Sequence, residues 1–495
     1  MLVARGRGCG GTHAPAPTVR IDEGVVRGEV DHGVQRFLGI PYAALPVGHR
    51  RWAAPEPPAG WRGVRDATRF ANHCPQVETP FGVASVDEDC LYVNVFAPAH
   101  GSPEAPVIVW FHGGSLVTGE SDDYDPSGLV REGAVVVTVN YRLDGLGFLA
   151  TSTLANEDHG RAGNYGLLDQ QQALRWVQAN IARFGGDPDR VTIAGESAGG
   201  LGVLSHLVSP PAEGLFDAAI VQSGTYAHRQ PDQDAAESSG AEFAAAVGCP
   251  EQDVDCLRAV PVTAVLAAQA SGYVPHVDGR IIPESILDAV AQGHTHPVPV
   301  MNGSNRDEWR LIVAILNVLS GNPVTAENYR DQFGVGPAIA ELIAAQYPLT
   351  EFESPALAVG AVGTDFTYAC SALSVNQQLS DYTRVYAYEF NDRSAPQTFL
   401  PAAEGFSYGA SHASELQYLF DLSNVDHPAT LNRHQQRLAS AMRRSWVRFA
   451  RTGSPGWPAF TRRTDIVRNL ALGGRHVTRD FASRHHCDFW ASIGG

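Results

Sequence analysis

Between residues 107 and 222 the chain alternates short apolar runs with segments of helical periodicity, and no other feature restricts its fold as tightly. Residues 107–111 and 134–140 are apolar runs that end in loops of Gly, Asp and Ser. Leu167, Leu174, Val177, Ile181 and Phe184 recur at the spacing of one helix face, and Gly185-Gly186-Asp187-Pro188 predicts where that helix stops. Residues 191–194 predict a short strand, 197–208 a helix and 218–222 a further strand. A strand without polar alternation is buried on both faces. Strands of that kind separated by helices imply an α/β fold, with a mainly parallel sheet covered by helices on either side.

Outside this block the texture changes. Residues 19–30 predict a hairpin centred on Gly24, residues 34–40 another strand and residues 91–96 a half-buried one. A Pro-rich connection carrying Trp52 and Trp61 lies between them. Residues 297–302 and 384–390 predict strands that rejoin the sheet, and residues 431–450 a last amphipathic helix. The helix-rich stretches 234–290 and 311–380 interrupt the alternation and are expected to be insertions. At about 150 residues per domain, a length of 495 suggests three domains. Insertions account for the excess, so the expectation is one domain over residues 19–495 behind a Gly/Pro/Ala-rich, disordered tail at 1–18.

Composition removes several chemistries. The chain has no Lys, so all 36 basic residues are Arg. That excludes Schiff-base catalysis, a phosphate-loop lysine, the kinase β3 lysine and a Ser-x-x-Lys acyl-transfer site. With 53 acidic residues the formal net charge is −17, which argues against nucleic acid as a partner. No stretch approaches the ~18–20 apolar residues of a membrane span, and residues 1–20 lack the apolar core of a signal peptide. No Cys or His cluster has metal-ligand spacing, so neither a metal nor a cofactor is expected. Among the seven cysteines, Cys74 with Cys90 and Cys249 with Cys256 could each close a short loop. Spacing alone leaves disulfides and free thiols level; disulfides would mean an oxidising compartment.

Two Gly-rich turns sit where strands end. Gly195-Glu196-Ser197-Ala198-Gly199 matches G-x-S-x-G directly after the strand at 191–194 and at the start of a helix. In that setting the turn exposes the Ser197 hydroxyl, and a Cβ at 195 or 199 would clash. The helix N-terminal amides, Ala198 among them, then face developing negative charge. An ordinary N-capping serine is the alternative. His112-Gly113-Gly114-Ser115 follows the strand at 107–111. Glycines there let backbone N–H groups approach a ligand oxygen, although an isolated Gly-Gly pair also fits a plain turn. A nucleophilic serine needs a base, and the base an orienting acid. Past the strand at 297–302 stand two candidate acids, Asp307 and Glu308, where sites in open α/β sheets gather. The candidate bases are His412, His427, His434, His476, His485 and His486. His412 is favoured, because it lies among small residues in a loop soon after the strand at 384–390.

The chain resembles the type-B carboxylesterase family of α/β hydrolases over residues 19–490. The resemblance rests on Phe37-Leu38-Gly39-Ile40-Pro41-Tyr42-Ala43, Glu88-Asp89-Cys90-Leu91-Tyr92-Val93-Asn94-Val95 and Asn164-Tyr165-Gly166-Leu167-Leu168-Asp169-Gln170. Phe184-Gly185-Gly186-Asp187-Pro188, the 195–200 turn, Gln222-Ser223-Gly224 and Cys487-Asp488-Phe489-Trp490 agree as well. It implies the α/β-hydrolase fold, a large and mostly parallel sheet flanked by helices, with helical insertions forming the active-site gorge. It also implies Ser197 as nucleophile, Glu308 as acid with Asp307 a structural neighbour, and His412 as general base and then acid. The backbone N–H groups of Gly114, Ser115 and Ala198 would form the oxyanion hole. Glu196, Ser223 and Glu415 would form a buried supporting set whose carboxylates titrate together. The resemblance supports Cys74–Cys90 and Cys249–Cys256 as disulfides and leaves Cys9, Cys370 and Cys487 unpaired.

Two positions depart from the family pattern. Ser115 replaces the usual third glycine of the oxyanion loop, where its hydroxymethyl could narrow the acyl pocket or add a hydrogen bond. The Cys74–Cys90 loop holds Phe81 but no Trp, which weakens any cation-binding role. The implied activity is hydrolysis of a small-molecule carboxylic ester through an acyl-enzyme, by a monomer or weak homodimer. Export is implied if the two disulfides form; without a leader the cytoplasm stays open. The alternatives are an inactive binding or adhesion module, which the complete Ser197, Glu308 and His412 set argues against, and a lipase or thioesterase on the same fold.

Overall fold

The computed structural model describes residues 16–100, 103–157, 160–269, 273–422 and 425–494. Most of the tail expected at 1–18, with Cys9, lies outside these residues. Its end is ordered differently from the expectation: Thr18 opens a strand, and the Gly28 N–H donates to the Pro17 carbonyl at 2.9 Å.

In chain order the first strands are β1 (Thr18–Ile21), β2 (Gly24–Arg27), β3 (Glu29–Asp31), β4 (Val34–Pro41), β5 (Val64–Asp66), β6 (Tyr92–Pro98), β7 (Ala105–Phe111) and β8 (Val135–Val139). β9 (Gly186–Glu196), β10 (Ala218–Gln222), β11 (Val300–Asn305), β12 (Val385–Phe390), β13 (Val467–Ala471) and β14 (Gly474–Thr478) follow. Strands β1, β2 and β5 form a small sheet. Among the described residues the other eleven form one large sheet, in the order β14-β13-β12-β11-β10-β9-β7-β8-β6-β4-β3. From β8 through to β13 each neighbouring pair is parallel, and both flanks are antiparallel.

The double burial of β7 is visible residue by residue. Val107, Val109 and Phe111 enter one apolar layer with the helices Tyr165–Asn180 and Ala198–Leu207. Ile108 and Trp110 enter the opposite layer with the helix Arg433–Thr452. Side chains alternate between faces along a strand, so a run apolar at every position needs cover on both sides. The stretch 234–290 packs its buried residues, including Phe243, Leu257 and Ile286, onto the first layer.

Several features differ from what the sequence suggests, each for a local reason. The strand expected at 297–302 is Val300–Asn305, because pairing with β10 and β12 carries it through the polar residues to Asn305, opposite Phe390. The helix expected at 431–450 begins at Arg433, since the Asn432 side chain accepts from the backbone N–H of His434 and Gln435 in a capping box, and it is not the last: the short helices Phe481–Arg484 and Cys487–Ser492 follow it. The β13–β14 hairpin is not anticipated by the sequence pattern: it is an edge hairpin that mixes polar and apolar residues. One helical run, Pro355–Leu379, passes for a membrane span by length and mean hydropathy, although Thr364, Asp365 and Ser371 interrupt its apolar residues. Its small residues raise the hydropathy, and 61% of its most apolar stretch is buried inside the protein, as in a core helix.

Cys74–Cys90 and Cys249–Cys256 are disulfides. Cys370 and Cys487, expected to be unpaired, form a third across 117 residues. They open the helices Cys370–Leu379 and Cys487–Ser492, which only the tertiary fold brings together. Three disulfides among the described residues fit a secreted or lumenal protein.

Candidate active site

Because β7, β9, β10 and β11 are parallel, their C-terminal ends share one edge of the sheet. Gln222 pairs with Glu196 on one side and Gly303 on the other, so Ser197, Ser223 and the turn after Asn305 emerge side by side. Ser197 adopts φ 53° and ψ −119° between β9 and the helix Ala198–Leu207, and its N–H donates to the Gln222 carbonyl at 2.9 Å. A Cβ at Gly199 would lie 2.0 Å from the Phe111 carbonyl oxygen, so only glycine lets this helix start against the end of β7.

Glu308 and His412 are paired at this edge. The Nδ1 of His412 lies 2.6 Å from Glu308 Oε2. The other Glu308 oxygen accepts from Ser223 Oγ at 2.5 Å and from the Asn305 N–H at 2.6 Å. Asp307 points into a different network. Arg393 and Arg310 hold its carboxylate at 2.9 Å, and it accepts from the Ala410 N–H at 3.0 Å, tying the loop before His412 to β11. The Nε2 of His412 faces Glu196 Oε1 at 3.2 Å, without hydrogen-bond alignment. Among the described residues no hydrogen bond links Ser197 Oγ to His412, though both line one cavity.

The remaining residues named from sequence divide in two. Glu415 accepts from Gln222 Nε2 at 3.0 Å and from Asn305 Nδ2 at 2.5 Å, and it makes no hydrogen bond to Glu196 among the described residues. Gly114 and Ser115, with φ 102° and 57°, border the cavity, while Ala198 heads the helix behind Ser197. None of their three backbone N–H groups has a hydrogen-bond partner among the described residues. The Ser115 side chain stands at the cavity edge. His112 shapes this loop: its ring stacks on Tyr141 at 4.5 Å, and its Nδ1 lies 2.8 Å from the Gly113 carbonyl.

Burial and charge set the protonation at this edge. Burial disfavours the charged imidazole of His412, but Glu196, Glu308 and Glu415 outweigh it and hold the ring up at about 9. Burial pushes Glu196 up to about 8 against the opposing pull of His412, and burial followed by Glu308 also raises Glu415. Burial holds His112 down at about 4, leaving it neutral.

The cavity over Ser197 has a volume of about 130 Å³. Tyr124, Tyr226, Tyr368 and Phe399 wall it, and Leu311, Ile312 and Ile315 reach it from the stretch 311–380. Phe81, from the Cys74–Cys90 loop, also lines it, with its ring 5.4 Å from Phe399. No described residue of the stretch 234–290 lines this cavity. Sequence reasoning misses Tyr226 and Asn305. Asn305 ends β11 two residues before Asp307, and Tyr226 lies in the turn Thr225–Ala227, three residues past Ser223; closeness to the C-terminal end of a strand is the available signal.

The model of the carboxylesterase family matches residues 15–490. The chain is 36% identical to a pyrethroid hydrolase, Ces2e, of Rattus norvegicus, with 91% of this chain and 85% of that protein aligned. It is 35% identical to the para-nitrobenzyl esterase of Bacillus subtilis (strain 168), over 90% of this chain and 93% of the other. A solved PNB esterase structure superposes with a TM-score of 0.80 at 33% identity, covering 95% of this chain and 99% of its own. The sheet and its flanking helices are thus those of the α/β-hydrolase fold. Matched along nearly its whole length, the chain belongs to the carboxylesterase family and is a carboxylic ester hydrolase.

Proposed function

We propose that this chain hydrolyses small, uncharged esters through an acyl-enzyme on Ser197. His412 takes the Ser197 proton as the hydroxyl attacks the ester carbonyl, and Glu308 holds the imidazole tautomer and orientation. The N–H groups of Gly114, Ser115 and Ala198 receive the oxyanion. His412 then protonates the leaving alcohol, and water repeats the sequence to release the acid. The observation that carries this reading is the 2.6 Å Glu308–His412 contact at the edge of the cavity that Ser197 also lines. The apolar walls and modest volume favour compact acyl groups, and the three disulfides support an exported protein.

The test is turnover of p-nitrophenyl esters of increasing acyl length, with p-nitrobenzyl and pyrethroid esters included because the two relatives are named for them. Ser197→Ala should lower kcat by on the order of 10⁶. A variant that keeps turnover within tenfold of the parent would overturn the assignment.

A further inference from the structure

A second cavity, of about 560 Å³, opens on the other side of the Asp307 turn and shares no described lining residue with the one at Ser197. Arg306, Arg310, Arg393 and Arg484 line it, in a chain whose net charge is −17. Two of these are committed to Asp307, and Arg484 sits 2.9 Å from Glu389. Arg306 is different. Its nearest carboxylate oxygen, on Glu389, is 3.7 Å away, and its closest polar neighbour is His485 Nε2 at 2.9 Å.

That nitrogen cannot satisfy Arg306. His485 is buried with Nδ1 2.5 Å from Asp365 and Nε2 2.8 Å from Glu389. Although burial opposes its charge, these two carboxylates raise its pKa and favour the imidazolium. Arg306 therefore meets a cation where an acceptor would suit it, and its remaining donors have no partner among the described residues. Asp307, Asp365 and Glu389, with Asp480 on Arg484 at 3.0 Å, are taken up by Arg310, Arg393, Arg484 and His485 and leave Arg306 without a carboxylate at hydrogen-bond distance. Glu351 and Glu353 also line the cavity and, like Arg393, reach solvent, where water screens their charge. Phe352, Leu357 and Ala361 supply apolar lining.

We propose that this cavity binds an organic carboxylate, its head group on Arg306 and the outward donors of Arg393, its apolar body against Phe352 and Leu357. A carboxylate matches the planar guanidinium fork with two parallel hydrogen bonds. Ester hydrolysis releases an acid of this class. That last link rests on the esterase reading; the binding site does not.

Calorimetric titration of the full chain with benzoate at fixed ionic strength tests the site without any turnover, so its failure and that of the esterase reading are told apart. The expected result is saturable binding that weakens at least tenfold in Arg306→Gln. It should weaken as much in Ala361→Phe, which narrows the cavity without changing charge. The neutral isostere benzamide should bind at least tenfold more weakly than benzoate. Thermal unfolding checks that each variant is folded, and if Arg306→Gln is not, Ala361→Phe carries the test. Absent benzoate binding, or binding unchanged in folded Ala361→Phe, overturns the proposal. Inorganic phosphate binding as tightly as benzoate also overturns it, because the apolar wall would then contribute nothing.

Discussion

Ser197 keeps a backbone conformation that few residues with a Cβ adopt, at a cost of about 1–3 kcal/mol. Its neighbours enforce it: the Gln222 carbonyl takes its N–H, and Gly199 seats the following helix on Phe111. The carboxylates around His412 raise its pKa, and a protonated imidazole cannot accept the Ser197 proton. The free protein's kcat/KM should therefore rise with pH along a limb whose midpoint lies above the ~6.5 of an ordinary imidazole. Glu196→Gln removes the carboxylate facing Nε2 and should move that limb to lower pH; a pH–rate profile in which it stays put contradicts this role. At this scale residue type and chain order point to Ser197, leave Asp307 level with Glu308 and favour His412 among six histidines; the family resemblance is what selects Glu308. Tyr226 and Phe399 are not legible in the sequence, because an aromatic wall can be built from many positions and only the folded cavity selects them.

Elements that a local rule specifies can be read from the chain, and those that pairing specifies cannot. The runs in β7, β8 and β10 are apolar at nearly every position, so burial on both faces follows from composition alone. β11 runs on through Asn302, Gly303, Ser304 and Asn305 because β10 and β12 supply partners there, and that extension brings Glu308 within three residues of the strand end. The helix Arg433–Thr452 likewise begins where its cap permits. Asn432→Ala removes an acceptor for two backbone N–H groups and should cost about 1 kcal/mol, read as a lower urea midpoint at unchanged slope. The same helix carries Trp446, whose indole N–H donates to Gln222 Oε1 at 2.9 Å, while Gln222 Nε2 holds Glu415. Its packing thereby reaches the supporting carboxylates of the site.

Across the whole molecule, sequence distance hides what topology joins. Cys370 and Cys487 stand 117 residues apart, so no loop spacing could pair them, yet their bond ties the helix Cys370–Leu379, near the end of the 311–380 stretch, to the last helix, Cys487–Ser492. In the chain-entropy account a loop near that length is worth about 4–5 kcal/mol. Denatured without reductant, the protein should titrate one thiol, Cys9, and seven after full reduction; three thiols before reduction would contradict the third disulfide. The same long-range closure brings Ser197, Glu308 and His412 to one sheet edge, and the proposed ester chemistry depends on that convergence. Labelling with a fluorophosphonate, followed by peptide mass mapping, reads it out at the reacting atom. One equivalent of label is expected on the peptide carrying Ser197, slowed in His412→Ala and lost in Ser197→Ala. Label on another residue, or label that persists in Ser197→Ala, would contradict it.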